Sequence, residues 1–250
     1  MMDDIWKWHM ECAKVRKAYA KDASNNLPSR RFPKDKGTAE AVLDPIYKST
    51  ILAAARSIVS VTPISKDGPR RPQCTGFVIE KFKHSGSYFA VVVTCSKVLS
   101  VGFPNKKTFV EAKLLYFNDH YDIAFLLLPM ESSLDLPCFG CCPNYHQEVF
   151  VLGRDKEAFL RVRRGVISWK EESDLMGHNY YMFLDGEIPE GGSGGPVIDH
   201  DGMFRGMAFY DSPKPVVLSV STIFICFNMF VQFGYKMTLM LRVLASMKAT

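Results

Sequence analysis

One serine in this sequence stands among four glycines, in the run Gly-Gly-Ser-Gly-Gly-Pro that occupies Gly191 to Pro196. Glycine accepts backbone angles that other residues avoid, so this run can turn tightly enough to present the hydroxyl of Ser193. A tight turn also lets two backbone N–H groups converge, and such a pair stabilises the oxyanion that forms during acyl transfer. We predict that Ser193 is a nucleophile and that the amides of Gly191 and Ser193 are the oxyanion donors.

The plain alternative is a flexible loop rich in glycine and serine. A strand pattern precedes the run, however, and the apolar residues Val197 and Ile198 follow Pro196 directly. A loop held between two strands is better suited to presenting a side chain than to acting as a spacer. The sequence therefore favours the nucleophile.

The chain around this serine consists largely of short segments with β-strand character. Ten segments rich in β-branched and aromatic residues are predicted as strands: 56–62, 74–80, 88–94, 108–117, 123–128, 148–152, 160–168, 180–184, 203–209 and 216–221. Short strands separated by turn residues predict an all-β sandwich or a pair of barrels. A connector with Pro, Gly and Cys at 136–147 divides them into two predicted barrels, 49–135 and 148–235.

The two ends of the chain have a different pattern. Apolar residues recur at helical spacing from Ile5 to about Lys21, and a polar segment with prolines follows, so 1–48 is predicted as an amphipathic helix and a linker. Trp6, Trp8 and Met10 would leave an apolar patch in water, which favours homo- or hetero-association through this helix; packing on its own barrel is the alternative. The stretch 216–233 is predicted as a strand and a buried helix, with 236–250 as a tail.

Together these segments resemble the trypsin-like serine protease superfamily and, within it, a plant-type divergent copy of the Deg/HtrA class. The resemblance runs from about residue 56 to 233 and is carried by Ser57–Val61, Cys74–Ile79, Tyr121–Leu127, Val149–Gly153 and Gly165–Ser168. It implies two six-stranded-type antiparallel β-barrels, with an N-terminal helical extension and a short C-terminal helix. It also implies a catalytic Ser-His-Asp triad, in which Asp122 would orient the histidine. The residues after 233 are too few for a PDZ domain.

The histidine of that triad is not found where the resemblance places it. In the class, the segment is a strand that ends in Thr-x-Ala/Cys-His-Val, and the matching residues here are Thr94-Cys95-Ser96-Lys97-Val98. Asp122 beside Lys97 would keep the amine protonated, so the lysine could not accept the proton of Ser193. The sequence thus predicts an impaired protease homologue, or pseudoenzyme, that binds a peptide or protein ligand in the cleft between the barrels.

The alternative is an active serine endopeptidase with an unusual base. Lys97 would then have to be neutral, as in serine–lysine dyads. His120 is the other candidate, because a residue two positions before Asp122 on an extended segment would point the same way. Either base would restore proteolysis by Ser193.

Composition and cysteine usage narrow the possible partners, locations and cofactors of the protein. The net charge of +5 is mild, so nucleic-acid binding is not predicted. Polar residues interrupt the apolar stretch 216–233, so no membrane span is predicted either. Seven cysteines, no Asn-x-Ser/Thr acceptor and an acidic start without a signal peptide favour a reducing cytoplasmic or nuclear location. The spacing of Cys138, Cys141, Cys142 and His146 is passable for zinc, but all four residues come from one connector. We predict no metal or cofactor, and buried thiols there instead.

Overall fold

The computed structural model describes nine stretches of the chain: 45–62, 73–84, 86–96, 102–105, 108–130, 134–155, 158–168, 181–211 and 214–232. The predicted N-terminal helix and nearly all of its linker lie outside these residues. Lys97 and the tail at 236–250 also lie outside them.

The described elements are a helix, a first set of strands, a second set of strands and a final helix. The first part comprises α1 (Pro45–Ala54), a 3₁₀ turn (Ala55–Ser57), β1 (Ile58–Val61), β2 (Cys74–His84), β3 (Ser87–Thr94), β4 (Gly102–Asn105), β5 (Thr108–Glu111), β6 (Lys113–Asn118) and β7 (Ile123–Met130). The second comprises β8 (Glu148–Arg154), β9 (Leu160–Ser168), β10 (Tyr181–Gly186), β11 (Gly195–Ile198), β12 (Phe204–Asp211), β13 (Lys214–Ser219) and α2 (Val220–Gln232). The all-β prediction is confirmed.

The first half is an antiparallel sheet in the order β1-β2-β3-β7-β6, with β4 and β5 paired separately. Its centre is the pair β3 and β7, whose apolar runs 89–93 and 123–128 are buried on both faces. Within the described residues the sheet has five strands, where the resemblance implied a six-stranded type of barrel. Strand β4 was not predicted, because Pro104 lacks the N–H that a paired strand normally offers.

The second half is a closed barrel in the order β10-β13-β12-β11-β8-β9. Its interior is packed with buried aliphatic side chains, among them Val149, Val151, Ile167 and Val197. Strand β11 begins at Gly195, two residues after the predicted nucleophile, and lies between β8 and β12. The barrel therefore anchors the glycine-rich run from its C-terminal side.

The two helices differ in how well the sequence indicated them. Helix α1 was not predicted: its segment was divided between linker and barrel, although Pro45 at the first helical position is a favourable start. Helix α2 follows β13 as predicted, and its Phe227 and Phe230 pack against Phe125 of β7, with ring centroids 5.5 and 6.1 Å apart. It thereby ties the second half to the first sheet. None of the helices in the described stretches is long and apolar enough to cross a membrane.

A partly buried arginine also joins the two halves. The guanidinium of Arg154, at the end of β8, donates to the carbonyl oxygens of Ile58 at 2.7 Å, Ala55 at 2.8 Å and Ala158 at 3.0 Å. Burial lowers the pKa of Arg154 to about 10, so the group is still a cation at neutral pH. Two of these three carbonyl acceptors, Ile58 O and Ala55 O, lie in the first half, which secures β8 against the start of the first sheet.

The connector cysteines are exposed, and the prediction that they are buried is wrong. The connector runs over the surface beside β12, with hydrogen bonds from Gly140 N to Phe204 O at 3.0 Å and from Phe204 N to Cys138 O at 2.8 Å. This path turns the thiols of Cys138, Cys141 and Cys142 towards solvent. Within the described residues, no group of three His, Cys, Asp or Glu side chains is arranged to hold a metal ion.

Candidate active site

The glycine-rich run forms two tight turns between β10 and β11. Gly192 N donates to Pro189 O, Gly194 N to Ala208 O, and Gly195 N to Gly192 O, each at 2.8 Å. Gly191 and Gly194 have φ angles of 71° and 80°, a region that side chains with a Cβ rarely enter. Ser193 stands between these two positions and is half-buried. The glycines are therefore needed for the path of the backbone.

Two amides of the loop are left without an acceptor. In the stretches that the structure describes, the N–H groups of Gly191 and Ser193 donate no hydrogen bond, unlike those of Gly192, Gly194 and Gly195. They are the two donors that the sequence analysis assigned to an oxyanion. The loop leaves both groups available, and their role as oxyanion donors stays a prediction.

Thr75 of β2 holds this loop against the first sheet. Its N–H donates to Ser193 O at 2.9 Å, and its hydroxyl donates to Gly191 O at 2.6 Å while accepting from Arg154 N at 2.8 Å. Its carbonyl accepts from the hydroxyl of Thr94 at 2.7 Å. The side chain is fully buried. Thr75 thus fixes the carbonyl groups of both residues whose amides are available.

Sequence reasoning did not identify Thr75 as part of the site. The only local signal was a hydroxyl residue in an otherwise apolar strand start, between Cys74 and Gly76. Its partners lie 79 and 116 positions away along the chain. Such a contact is set by how the two halves dock, and a local pattern does not contain that information.

Replacing Thr75 with valine should loosen the nucleophile loop. Valine has nearly the same shape but leaves Gly191 O and Arg154 N without their partner, and a lost hydrogen bond is worth about 1 to 1.5 kcal/mol. We expect amides in 188–198 to exchange hydrogen about tenfold faster by mass spectrometry, a factor that corresponds to about 1.4 kcal/mol. Thr75→Ser, which keeps the hydroxyl, should stay close to wild type. Equal acceleration in 160–168 would indicate only a global loss of stability.

Asp122 lies in the turn that leads into β7 and is buried at 6% exposure. Its Oδ1 accepts two hydrogen bonds from Ser96, from the backbone N–H at 3.1 Å and from the hydroxyl at 2.6 Å. Its φ angle is 47°, which is unusual for a residue with a side chain and recurs at functional sites. Ser96 immediately precedes Lys97, so the carboxylate is attached to the neighbour of the predicted histidine position. Ser96 was not identified from the sequence.

His120 does not share the direction of Asp122, and the extended-segment argument for it is wrong. Residues 119–122 form a turn, in which Asp122 N donates to Asp119 O at 3.3 Å. The turn leaves His120 exposed, with its ring edge-on to Tyr121 at 4.8 Å, whereas Asp122 is buried. Alternation between faces holds only for extended backbone.

The serine loop and the aspartate segment meet at one junction between the two halves. A Cβ added to Gly194 would lie 2.4 Å from Thr75 O and 2.9 Å from Cys95 N, so the loop touches the end of β3. Ser96 follows Cys95 and binds Asp122. The structure therefore gathers the loop of Ser193, the end of β3 and Asp122. Lys97 comes next in the chain, outside the described residues.

Comparisons with known proteins match a family model and solved structures. The family model described as "Trypsin-like peptidase domain" matches residues 74–207, which is more than half of the 250 residues. The crystal structure of the serine endoprotease from Yersinia pestis is similar with a TM-score of 0.59 and 17% identity, covering 75% of this chain and 67% of that one. At that identity the likeness concerns the fold. No curated protein matches the sequence.

The family model spans strands from both halves, from β2 to β12, and so includes Thr75, Asp122 and the glycine-rich loop. The likeness to the endoprotease agrees with the closed barrel and the sheet packed beside it. The chain belongs to the trypsin-like peptidase domain family.

Proposed function

We propose that this protein is a catalytically impaired trypsin-like domain that binds a peptide or protein segment in the cleft between its two halves. One observation carries the proposal: a nucleophile loop with two available amides touches the end of β3, where Ser96 binds Asp122 and is followed by lysine and not by histidine. On this proposal the two amides hold a peptide oxygen, and a lysine replaces the base.

The replacement affects one step above all. Ser193 becomes a strong nucleophile only when a neighbouring group accepts its proton. A lysine amine has a pKa of about 10.4 in model peptides, and a nearby carboxylate favours its charged form. Lys97 beside Asp122 would therefore carry a positive charge at pH 7 and accept nothing. Proton transfer by a positioned base contributes about 10²-fold to 10⁴-fold in rate, and this contribution would be missing.

The resemblance to the Deg/HtrA class supports a peptide or an unfolded protein segment as the ligand. Binding a peptide does not require the proton of Ser193 to be transferred, so replacement of the base would leave such binding intact. The N-terminal segment with Trp6, Trp8 and Met10 would add association with a second copy or with an active relative. The proposal therefore includes a ligand in the cleft and a partner that associates through the N-terminal segment.

The second candidate is an active endopeptidase, and the available amides of Gly191 and Ser193 favour it. Fluorescein-labelled casein, an unfolded polypeptide, separates the two when it is incubated with wild type and with Ser193→Ala. We expect equal binding by fluorescence anisotropy and no Ser193-dependent hydrolysis. Hydrolysis that disappears in Ser193→Ala would establish the endopeptidase. If casein neither binds nor is cleaved, the proposal of peptide binding in the cleft is wrong.

A further inference from the structure

Two buried cysteines lie side by side beneath the junction. The sulfur atoms of Cys74 and Cys95 are 3.8 Å apart, and the thiol of Cys95 points at the sulfur of Cys74. The residues are 6% and 2% exposed. Both are in the thiol form. They are 21 positions apart in the chain, so the contact is made by the fold.

Each cysteine adjoins one of the residues that hold the site. Cys74 precedes Thr75, which binds the carbonyl groups of Gly191 and Ser193. Cys95 precedes Ser96, which binds the carboxylate of Asp122. A bond between the two sulfurs would therefore connect the anchor of the serine loop to the anchor of the aspartate.

We propose that Cys74 and Cys95 form a redox modification site, which hydrogen peroxide or an organic hydroperoxide converts into a disulfide. The disulfide draws the ends of β2 and β3 together and thereby alters the serine loop. A change in the serine loop would also change peptide binding, and this consequence rests on the proposed function of the cleft. The modification itself does not depend on that function.

The chemistry balances with peroxide as the only oxidant. The thiolate of Cys74, the more exposed of the two, attacks one peroxide oxygen; a sulfenic acid forms, and the other oxygen leaves as hydroxide and takes up a proton to become water. The sulfur of Cys95 then attacks the sulfenic sulfur, and a second water leaves as the disulfide forms. In sum, two thiols and one hydrogen peroxide give one disulfide and two waters.

The geometry favours the second step. A disulfide has an S–S distance of about 2.05 Å, so the sulfurs must approach by less than 2 Å from their present 3.8 Å. Groups already in contact react as if at very high concentration. Cys226, in α2, serves as a control thiol. Burial raises its pKa to about 11, which suppresses its thiolate.

The test begins with peptide mapping. Cys138→Ser, Cys141→Ser and Cys142→Ser are combined to remove the thiols that are exposed in the described stretches, and the folded protein is treated with hydrogen peroxide at pH 8. Digestion without reduction should give a cross-linked peptide pair containing Cys74 and Cys95, which dithiothreitol separates. Cys226 should remain open to alkylation after unfolding. The same mapping is carried out on the wild-type protein, which carries no substitution. If Cys74 and Cys95 both remain alkylatable after treatment, the proposal is wrong.

The coupling to the site has its own measurement. Hydrogen exchange in 188–198 is compared between oxidised and reduced protein, with 160–168 as the reference region. We expect a change of about tenfold in the loop, matching the loss or gain of one hydrogen bond, and its reversal by dithiothreitol. If the cross-link forms without this change, the disulfide does not alter the serine loop, and only the proposal of a modification site stands. Neither readout uses peptide binding or Lys97, so failure here is distinct from failure of the proposed function.

Discussion

Lys97→His is expected to make Ser193 react with a fluorophosphonate about 10²-fold to 10⁴-fold faster than wild type at neutral pH, the range that a positioned base contributes. A histidine has a pKa of about 6.5, so much of it is neutral at pH 7 and can accept the serine proton. Its second ring nitrogen offers a donor to Asp122, which Ser96 already holds at the end of β3. One substitution thus supplies the base and its orientation.

The controls separate a new base from a lost charge. Lys97→Gln removes the positive charge without adding a base, and it should remain as unreactive as wild type. Lys97→His combined with Ser193→Ala should not be labelled. The labelling rate of Lys97→His should rise with pH through a midpoint near or above about 6.5, because the neutral imidazole is the active form. If the folded Lys97→His protein is no more reactive than Lys97→Gln, the role assigned to position 97 is wrong.

The second large effect concerns Gly194, where the serine loop touches the first sheet. Its φ angle is 80°, and a Cβ there would lie 2.4 Å from Thr75 O and 2.6 Å from the hydroxyl of Thr94. We expect Gly194→Ala to lower the free energy of unfolding by about 3 kcal/mol or more, since a left-handed conformation costs about 1 to 2 kcal/mol and overpacking adds about 1 to 3 kcal/mol. Urea unfolding followed by circular dichroism measures the loss.

Gly86 provides a matched control for this substitution. Its φ angle is 85°, nearly the same as that of Gly194, but a Cβ there would meet nothing within 4 Å. Gly86→Ala therefore carries the conformational cost alone, about 1 to 2 kcal/mol. The difference between the two variants measures how closely the loop and the sheet approach. Equal losses would show that the loop does not touch the first sheet as described.

The sequence predicts the strands of the core well, because their patterns are local. The apolar runs at 89–93 and 123–128 are short and rich in β-branched or aromatic residues, which is typical of buried strands, and both are central in the first sheet. The glycine-rich loop could likewise be identified, since its residue types follow from the backbone angles that it needs. For strand β11 the sequence indicated only the start, because a strand of four residues that includes Pro196 gives little pattern.

The contacts that build the site could not be predicted. Thr75 binds Gly191 and Arg154, and Ser96 binds Asp122, all across long separations in sequence. Helix α1 was missed because a ten-residue segment with one fully buried residue has a weak periodic pattern. The predicted direction of His120 was wrong for another reason: residues 119–122 form a turn and not an extended segment. In each case tertiary structure overrides a local preference.

The central claim is that Ser193 is present in an intact loop but is not activated. Its most direct test is fluorophosphonate labelling of the purified wild-type protein at pH 7, beside Ser193→Ala, with the labelled residue identified by mass spectrometry. We expect no labelling of Ser193 above the background of the Ser193→Ala protein. Rapid labelling at Ser193, together with peptide turnover that Ser193→Ala abolishes, would contradict the claim and show that the chain is a working protease.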